Sequence, residues 1–387
     1  MTVGTTIYTA VVGCGVATQL FHVPLLLAQK QLFTLKTIVE KAGPKPIEAI
    51  NKTYRTSIRW VNDIQNVIND EDIELVVIAT PNHMHFSMAK VGYYSLLHPQ
   101  NWLADSASPV RQACLEAGKH VLVDKPVTPT YAEAAELARI AQRCNRKLMT
   151  FQNRRLDGDF LTVKKLIEEK AIGETYEVES HYDRLRLQLN GTWKEGTQPG
   201  CGNTWNLAPH LIDQCMVLFG RPDSVMGLVQ NVRQLGHSNL DDSFTIHLYY
   251  TNTPRPVTCI LRGTLSAVTA RPLRFIVRGD QGTYIKRGHD VQEGQMKKHM
   301  SPWGPEFGIE PKSQWGEIEV QNENGFEFDF LPTLKGEYNR IYPNVAGVLE
   351  GKEEPLVRWE ESAAVVQILQ LAFQSAEEGR TLPVPRA

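Results

Sequence analysis

Ile7-Tyr-Thr-Ala-Val-Val12-Gly13-Cys14-Gly15-Val16-Ala17-Thr18 is the stretch that decides the fold. A short apolar run, rich in β-branched residues, stops at two glycines spaced by one residue. Helical spacing follows over His22–Gln29, with Leu25, Leu26 and Leu27 on one side. Strand, glycine turn and helix form the context in which Gly-x-Gly can cradle a pyrophosphate. The first glycine permits the tight turn, the second lets the backbone approach, and the helix N-terminus favours negative charge. Thr18 stands where the third glycine of that fingerprint usually falls, and Val16 and Ala17 complete the loop.

Outward from this turn, strands and helices alternate. Phe33–Val39 reads as a second strand, Pro46–Thr53 as a helix, and Ser57–Trp60 as a strand. Glu74–Ala79 is a continuous apolar run of the kind a strand buried on both faces requires. His120–Val123, a helix over Tyr131–Cys144 and a strand over Lys147–Thr150 close the set. Such alternation over about 150 residues predicts a doubly wound parallel sheet, a Rossmann-type α/β fold. The pattern then changes. Asp157 and Asp159 can cap a helix running to Lys170. Long alternating strands follow at Tyr176–Arg186, Ser224–Gln230, Ser243–Tyr250 and Val257–Arg262. Phe275–Arg278 and Thr283–Lys286 flank Gly279-Asp280-Gln281-Gly282, a hairpin signal. Ser362–Gly379 is an amphipathic helix. The expectation is a domain over 1–150 and a second over 151–387, the latter α/β with a large, mostly antiparallel open sheet.

Composition narrows the function. The chain has 387 residues and a formal charge of −2, which gives no electrostatic footprint for nucleic acid or anionic membrane. No apolar run approaches a membrane span, and the N-terminus has no basic region of a signal peptide. Cys14, Cys114, Cys144, Cys201, Cys215 and Cys259 make no C-x-x-C and no metal-ligand spacing. Reduced thiols, a cytoplasmic location and no metal are the expectation.

Glu40 ends the second strand, where a carboxylate can accept the ribose hydroxyls of NAD. Lys41 follows and can instead hold the 2′-phosphate of NADP. Thr80-Pro81-Asn82 and His85 follow the buried run Glu74–Ala79, at the strand end where ligands bind in open α/β sheets. Asp124-Lys125-Pro126 ends the next strand. A lysine there, locked by a proline, is a candidate catalytic or orienting group.

Gly13-x-Gly15, Thr80-Pro81-Asn82-x-x-His85 and Glu116-Ala117-Gly118-Lys119-His120-Val121-Leu122-Val123-Asp124-Lys125-Pro126 together resemble the glucose–fructose oxidoreductase/inositol dehydrogenase/MocA family. The family usually writes Glu-Lys-Pro, so Asp124 is a variant. Phe151–Thr162, Glu179–Arg184 and Leu207–Gln214 extend the resemblance to the branch holding NADP-dependent scyllo-inositol dehydrogenases. The resemblance implies an NAD(P)-dependent oxidoreductase acting on a secondary alcohol or hemiacetal of a sugar, inositol or related diol. It tilts the cofactor expectation toward NADP over NAD, and implies a homodimer or higher oligomer formed through the open sheet. It makes His210 the proton acceptor and Lys125 the hydrogen-bond donor to the reacting hydroxyl. Gly13, Gly15, Val16, Ala17, Glu40, Lys41, Thr80, Pro81, Asn82, His85, Asp124 and Lys125 would border the dinucleotide. Arg154, Tyr182, Trp193 and Trp205 would meet a polyol or sugar. In one departure, relatives carry Asp four residues before the histidine, and this chain has Asn206. An amide cannot raise imidazole basicity as a carboxylate does. The alternative is therefore a catalytically weak or inactive NAD(P)-binding sensor on the same fold.

One segment falls outside the family pattern. Joining Lys90 directly to Ala113 restores a helix that Val91–Gln112 interrupts, and Gly92, Pro99 and Pro109 break any helix there. A surface loop is one reading, since long insertions cost little closure entropy. The sharper one is a retained intron. Excision of these residues keeps the reading frame, every Val codon begins GT, and a Gln codon CAG ends AG.

Overall fold

The computed structural model describes residues 6–90 and 114–386; the 91–112 segment therefore lies outside the described residues. The chain forms two compact units, the first comprising residues 1–128, 132–151 and 339–359, the second the remainder.

In the first unit, six parallel strands run β3-β2-β1-β4-β5-β6. They are β1 (Ile7–Val12), β2 (Phe33–Val39), β3 (Arg59–Val61), β4 (Leu75–Ile78), β5 (His120–Asp124) and β6 (Leu148–Phe151). Helices α1 (Val23–Leu27), α2 (Lys45–Tyr54), α3 (Gln65–Ile68), α4 (His85–Ala89) and α5 (Tyr131–Arg143) accompany them. The strand order reverses between β1 and β4, the switch point where such sheets bind ligands. Leu75, Val76, Val77 and Ile78 are all fully buried, as a central parallel strand requires. Each such side chain contributes roughly 1.5–3 kcal/mol. Gly13 adopts φ +92°, and a Cβ there would lie 2.7 Å from the Ala79 oxygen, so only glycine lets β1 turn this close to β4.

The helix expected over His22–Gln29 begins earlier and differently. Thr18–His22 is a π-helical turn, and α1 continues from Val23. The Thr18 hydroxyl donates to the Gly13 oxygen at 2.6 Å. The residue replacing the third glycine thus ties the helix to the loop by a side-chain bond.

The boundaries of the interrupted segment have helix-end chemistry. After α4, the Lys90 N–H bonds the Phe86 oxygen, and the Lys90 ammonium pairs with Glu136. On the far side, the Lys119 N–H bonds the Cys114 oxygen and the Gly118 N–H bonds the Leu115 oxygen, with Gly118 at φ +79°. This is the paired hydrogen-bond pattern that closes a helix at a left-handed glycine. One flank carries a helix beginning and the other a helix ending. Deletion of Val91–Gln112 is therefore expected to leave a protein that melts no lower and binds dinucleotide as well; an unfolded deletion variant would establish the segment as a genuine loop.

In the second unit, α6 (Gly158–Glu168), β7 (Thr175–His181), α7 (Asn203–Phe219) and β8 (Ser224–Gln230) are followed by β9 (Ser243–Tyr250), β10 (Val257–Thr264), β11 (Leu273–Gly279) and β12 (Gly282–Arg287). Then come α8 (Gln292–Lys297), β13 (Gly316–Asn322), β14 (Gly325–Leu331), the C-terminal helix Trp359–Glu378 and β15 (Leu382–Pro383). The nine strands run β14-β13-β12-β11-β7-β10-β9-β8-β15, antiparallel except for β7 beside β10. Phe160 and Leu166 of α6, Leu211 and Ile212 of α7, and Ile368 and Leu369 of the C-terminal helix pack with Val178, Ile246, Cys259 and Val277 of the sheet. Two expectations are corrected. The strand expected over Tyr176–Arg186 ends at His181, although the Tyr182 and Arg184 N–H groups still bond the Arg262 and Thr264 oxygens. Asp157 precedes α6 but makes no capping bond. Its carboxylate instead accepts from Arg154 at 3.2 Å and from the Tyr338 hydroxyl at 2.5 Å.

Candidate active site

The first unit's candidates gather at the carboxyl ends of β1, β2, β4 and β5. The Gly13 N–H donates to the Val39 oxygen at 2.9 Å, which fixes the loop against β2. A Cβ at Gly15 would meet no protein atom within 4 Å, and Val16 is 75% exposed. The loop's outer side is thus open, and Ala17 leads directly into the π turn. The Glu40 carboxylate folds onto this loop, accepting from the Cys14 N–H and the Ala42 N–H, both at 2.9 Å. Lys41 lies between the residues so joined. The glycine cradle, helix start and strand-end carboxylate are the chemistry that a dinucleotide's pyrophosphate and ribose call for.

Thr80 and Pro81 leave β4, Asn82 opens a short 3₁₀ turn, and His85 begins α4. His85 reaches across to β5, with its ring nitrogens near the Thr80 and Pro126 oxygens. The Asp124 carboxylate accepts the Lys125 N–H at 2.7 Å. Beneath these residues His22 bonds the Tyr342 hydroxyl at 2.9 Å and packs against Phe151. Burial pushes His22 down to about 4, with Asp124 opposing. This support carried no sequence signal, because Tyr342 lies 320 residues from its partner.

The second unit's candidates centre on α7. Asp241 caps its start, accepting from the Thr204 N–H and hydroxyl, each at 2.6 Å. Burial raises the Asp241 carboxyl to about 6, against those bonds. His210 sits in the middle of α7 after Pro209 and is buried. Asn206 is one turn earlier on a neighbouring position of the helix surface. Its Oδ1 accepts from Lys194 at 2.7 Å. An ammonium only donates, so this contact fixes the amide with its oxygen toward Lys194 and its NH₂ on the other side. Lys194 is a residue that sequence reasoning passed over; its one signal is its place directly after Trp193. Asp213 is held by Arg155 through two bonds, 2.7 and 2.6 Å, and Arg155 reaches Glu361 at 2.8 Å. Burial raises the Asp213 carboxyl although Arg155 opposes it.

Two of the substrate candidates are brought together. The Arg154 guanidinium lies 4.6 Å from the Tyr182 ring centre and pairs with Glu293 at 2.7 Å. Tyr182 stacks on His289 with ring centres 4.2 Å apart. Burial pushes Glu293 up, but Arg154 and Arg184 overcome it and bring the carboxyl to about 2. Both Arg154 and Tyr182 are buried. Trp205 lies elsewhere, stacked on Phe373 at the wall of a cavity of about 210 Å³ that Cys201, His237 and Asp241 also line. The Trp193 oxygen accepts from the Cys201 thiol at 3.0 Å. Among the described residues no cluster of His, Cys, Asp or Glu could hold a metal, and no helix is long and apolar enough to cross a membrane.

The two halves correspond to one class of protein. The NAD-binding Rossmann fold of an oxidoreductase family matches residues 7–95 and 100–152, and that family's C-terminal α/β domain matches 164–385. The chain belongs to the glucose–fructose oxidoreductase/inositol dehydrogenase/MocA family. It is 33% identical to an uncharacterised oxidoreductase of Schizosaccharomyces pombe over 98% of this chain and 99% of that one. It is 28% identical to the NADP(+)-dependent scyllo-inositol 2-dehydrogenase IolW of Bacillus subtilis, over 97% and 96%. The solved structure of the Bacillus subtilis oxidoreductase YvaA superposes with a TM-score of 0.85 at 27% identity, covering 98% of this chain and 99% of that one.

Proposed function

We propose that the protein is an NAD(P)-dependent dehydrogenase that oxidises a secondary alcohol or hemiacetal of a sugar, inositol or related diol. The retention of both Lys125 and His210, with the glycine cradle, carries this reading. When bound, the dinucleotide supplies the hydride acceptor. His210 takes the hydroxyl proton; an imidazole titrates near working pH and suits the task. Lys125 donates a hydrogen bond to the reacting oxygen and stabilises its developing negative charge. Asn206 presents its amide donor end beside this chemistry, while Lys194 holds its oxygen. Arg154, Tyr182, Trp193 and Trp205 shape the substrate domain that residues 151–387 chiefly form. A panel of polyols and aldoses with each dinucleotide, read by the absorbance of reduced nicotinamide, tests the reading. No turnover with any of them would refute it.

NADP is the proposed cofactor, supported by Lys41 and by the dependence of the IolW relative. Glu40→Ser is expected to improve NADP affinity by about tenfold. The change removes the repulsion of a negative charge near a 2′-phosphate, from which the carboxylate is turned away, and frees the Cys14 and Ala42 N–H groups it occupies. Dissociation constants for both dinucleotides check this. Weaker NADP binding in the variant would mean that Glu40 holds the loop itself in shape.

A homo-oligomer formed through the open sheet is the proposed assembly. Phe326, Phe328 and Phe330 support it: they point one way along β14, opposite Gln321, Glu319 and Glu317, and remain exposed. Light scattering measures the state directly.

A further inference from the structure

Both ring nitrogens of His85 face carbonyl oxygens. Nδ1 lies 2.8 Å from the Pro126 oxygen and Nε2 lies 2.9 Å from the Thr80 oxygen. A carbonyl oxygen only accepts, and a neutral imidazole carries a single N–H. A neutral ring would donate to one carbonyl and set its lone pair against the other at hydrogen-bond distance. Only the imidazolium satisfies both contacts. The ring is 1% exposed, so its charge needs a counter-charge nearby, and Asp124 supplies it. The titratable groups around the ring are Asp124 and Lys125 at the end of β5 and His83 on the ring's own turn. Asp124 also acts on His22 and Tyr342 from beneath. Burial lowers the pKa of His85; Asp124 and the two carbonyls pull it upward, and Lys125 opposes them.

We propose that His85 is a positioning residue working as an imidazolium clamp, one N–H holding the Thr80 carbonyl beyond β4 and the other the Pro126 carbonyl directly after Lys125. The proposal rests on the reading that Thr80 borders the dinucleotide and Lys125 serves the reacting hydroxyl. It gives His85 a part that touches neither, acting through both. The ring takes its second proton from solvent and returns it there. The doubly bonded clamp is complete at low pH and is lost as pH rises through the ring's titration. Burial places that titration on the acid side of the ordinary histidine value of about 6.5. Above it one carbonyl is released, and the two strand ends lose their common anchor.

The test uses the full chain with nitrogen-labelled histidines, followed by long-range proton–nitrogen spectra from acid to neutral pH. The His85 signals are assigned by their loss in His85→Gln. The expected result is a ring protonated on both nitrogens at the acid end, titrating once. Through the same midpoint the dissociation constant for NADP, read by tryptophan quenching, should rise about tenfold, the size of one charge-assisted hydrogen bond. His85→Gln keeps a donor but has no proton to lose, so its affinity should carry no such step. A ring singly protonated wherever the protein stays folded would overturn the proposal, as would an affinity step that persists in the glutamine variant. Should that variant not fold, a selective histidine assignment and the wild-type profiles decide: coincident midpoints support the clamp and separate ones overturn it. Absence of turnover on every polyol would defeat the proposed activity while leaving the ring's protonation and the binding profile readable.

Discussion

Alanine at His210 is expected to lower turnover by at least about a hundredfold, and alanine at Lys125 by a similar factor, the usual contribution of a positioned acid–base group. Neither change should alter helix content, and dinucleotide affinity should stay near the wild-type value. α7 is held by Asp241 at its start and by Leu207, Leu211 and Ile212 along its buried side, none of which depends on the imidazole. Single-turnover rates and separate binding measurements divide these effects. Near-normal turnover in either folded variant would remove that residue from the chemistry. Asn206→Asp is the informative companion. A carboxylate one turn from His210 stabilises its imidazolium and should move the acid limb of the pH–rate profile upward. The move is limited by Lys194, which would then be a salt-bridge partner.

The largest loss of stability is expected from Arg274→Met. Arg274 is fully buried, and its guanidinium donates to Asp159 at 3.0 Å, to Ser180 at 2.8 Å and to Gln214 at 3.0 Å. One side chain therefore ties α6, β7 and α7 to β11. Removing it strands the Asp159 carboxylate in the interior, a loss of about 3–5 kcal/mol for a broken buried pair. A lowered denaturant midpoint with an unchanged slope measures it. Pairing the change with Asp159→Asn should recover part of the loss, because the stranded charge is then gone. A single variant as stable as the parent would mean that water reaches Asp159.

The doubly wound sheet is readable from Ile7–Gly15 and Glu74–Ala79 because local pattern and tertiary role agree there. Continuous apolar strands are buried on both faces, and a glycine turns where the backbone leaves no room for a Cβ. The second sheet is harder to read at its edge. Gly325–Leu331 alternates plainly, but its phenylalanines lie on the face without helices, so equating large apolar residues with the core misplaces the strand. The glycine loop is legible because its turn lies within one contiguous stretch, and the candidates Lys125 and His210 are picked out by the contiguous motifs that carry them. Lys194 on Asn206, Tyr342 on His22 and Arg155 on Asp213 are not, since each pair meets only after the chain has folded. The π turn at Thr18–His22 is hidden for another reason: one extra residue per turn leaves no mark in the apolar spacing.

The return of residues 339–359 to the first unit gives the dinucleotide-binding half an unusual standing as an evolutionary module. Tyr342 reaches His22 and Phe33, and the Trp359 indole donates to the Ala134 oxygen at 2.9 Å. A gene segment ending near codon 150 would encode the whole parallel sheet yet lack these partners, leaving His22 and Phe33 without their aromatic cover. Grafting this half onto a different catalytic half by recombination would need three crossovers, near residues 151, 339 and 359, because residues 360–387 belong to the second unit. Lineages that exchange the substrate-bearing portion are thus constrained to replace two separate blocks of the gene while keeping the short segment 339–359 between them.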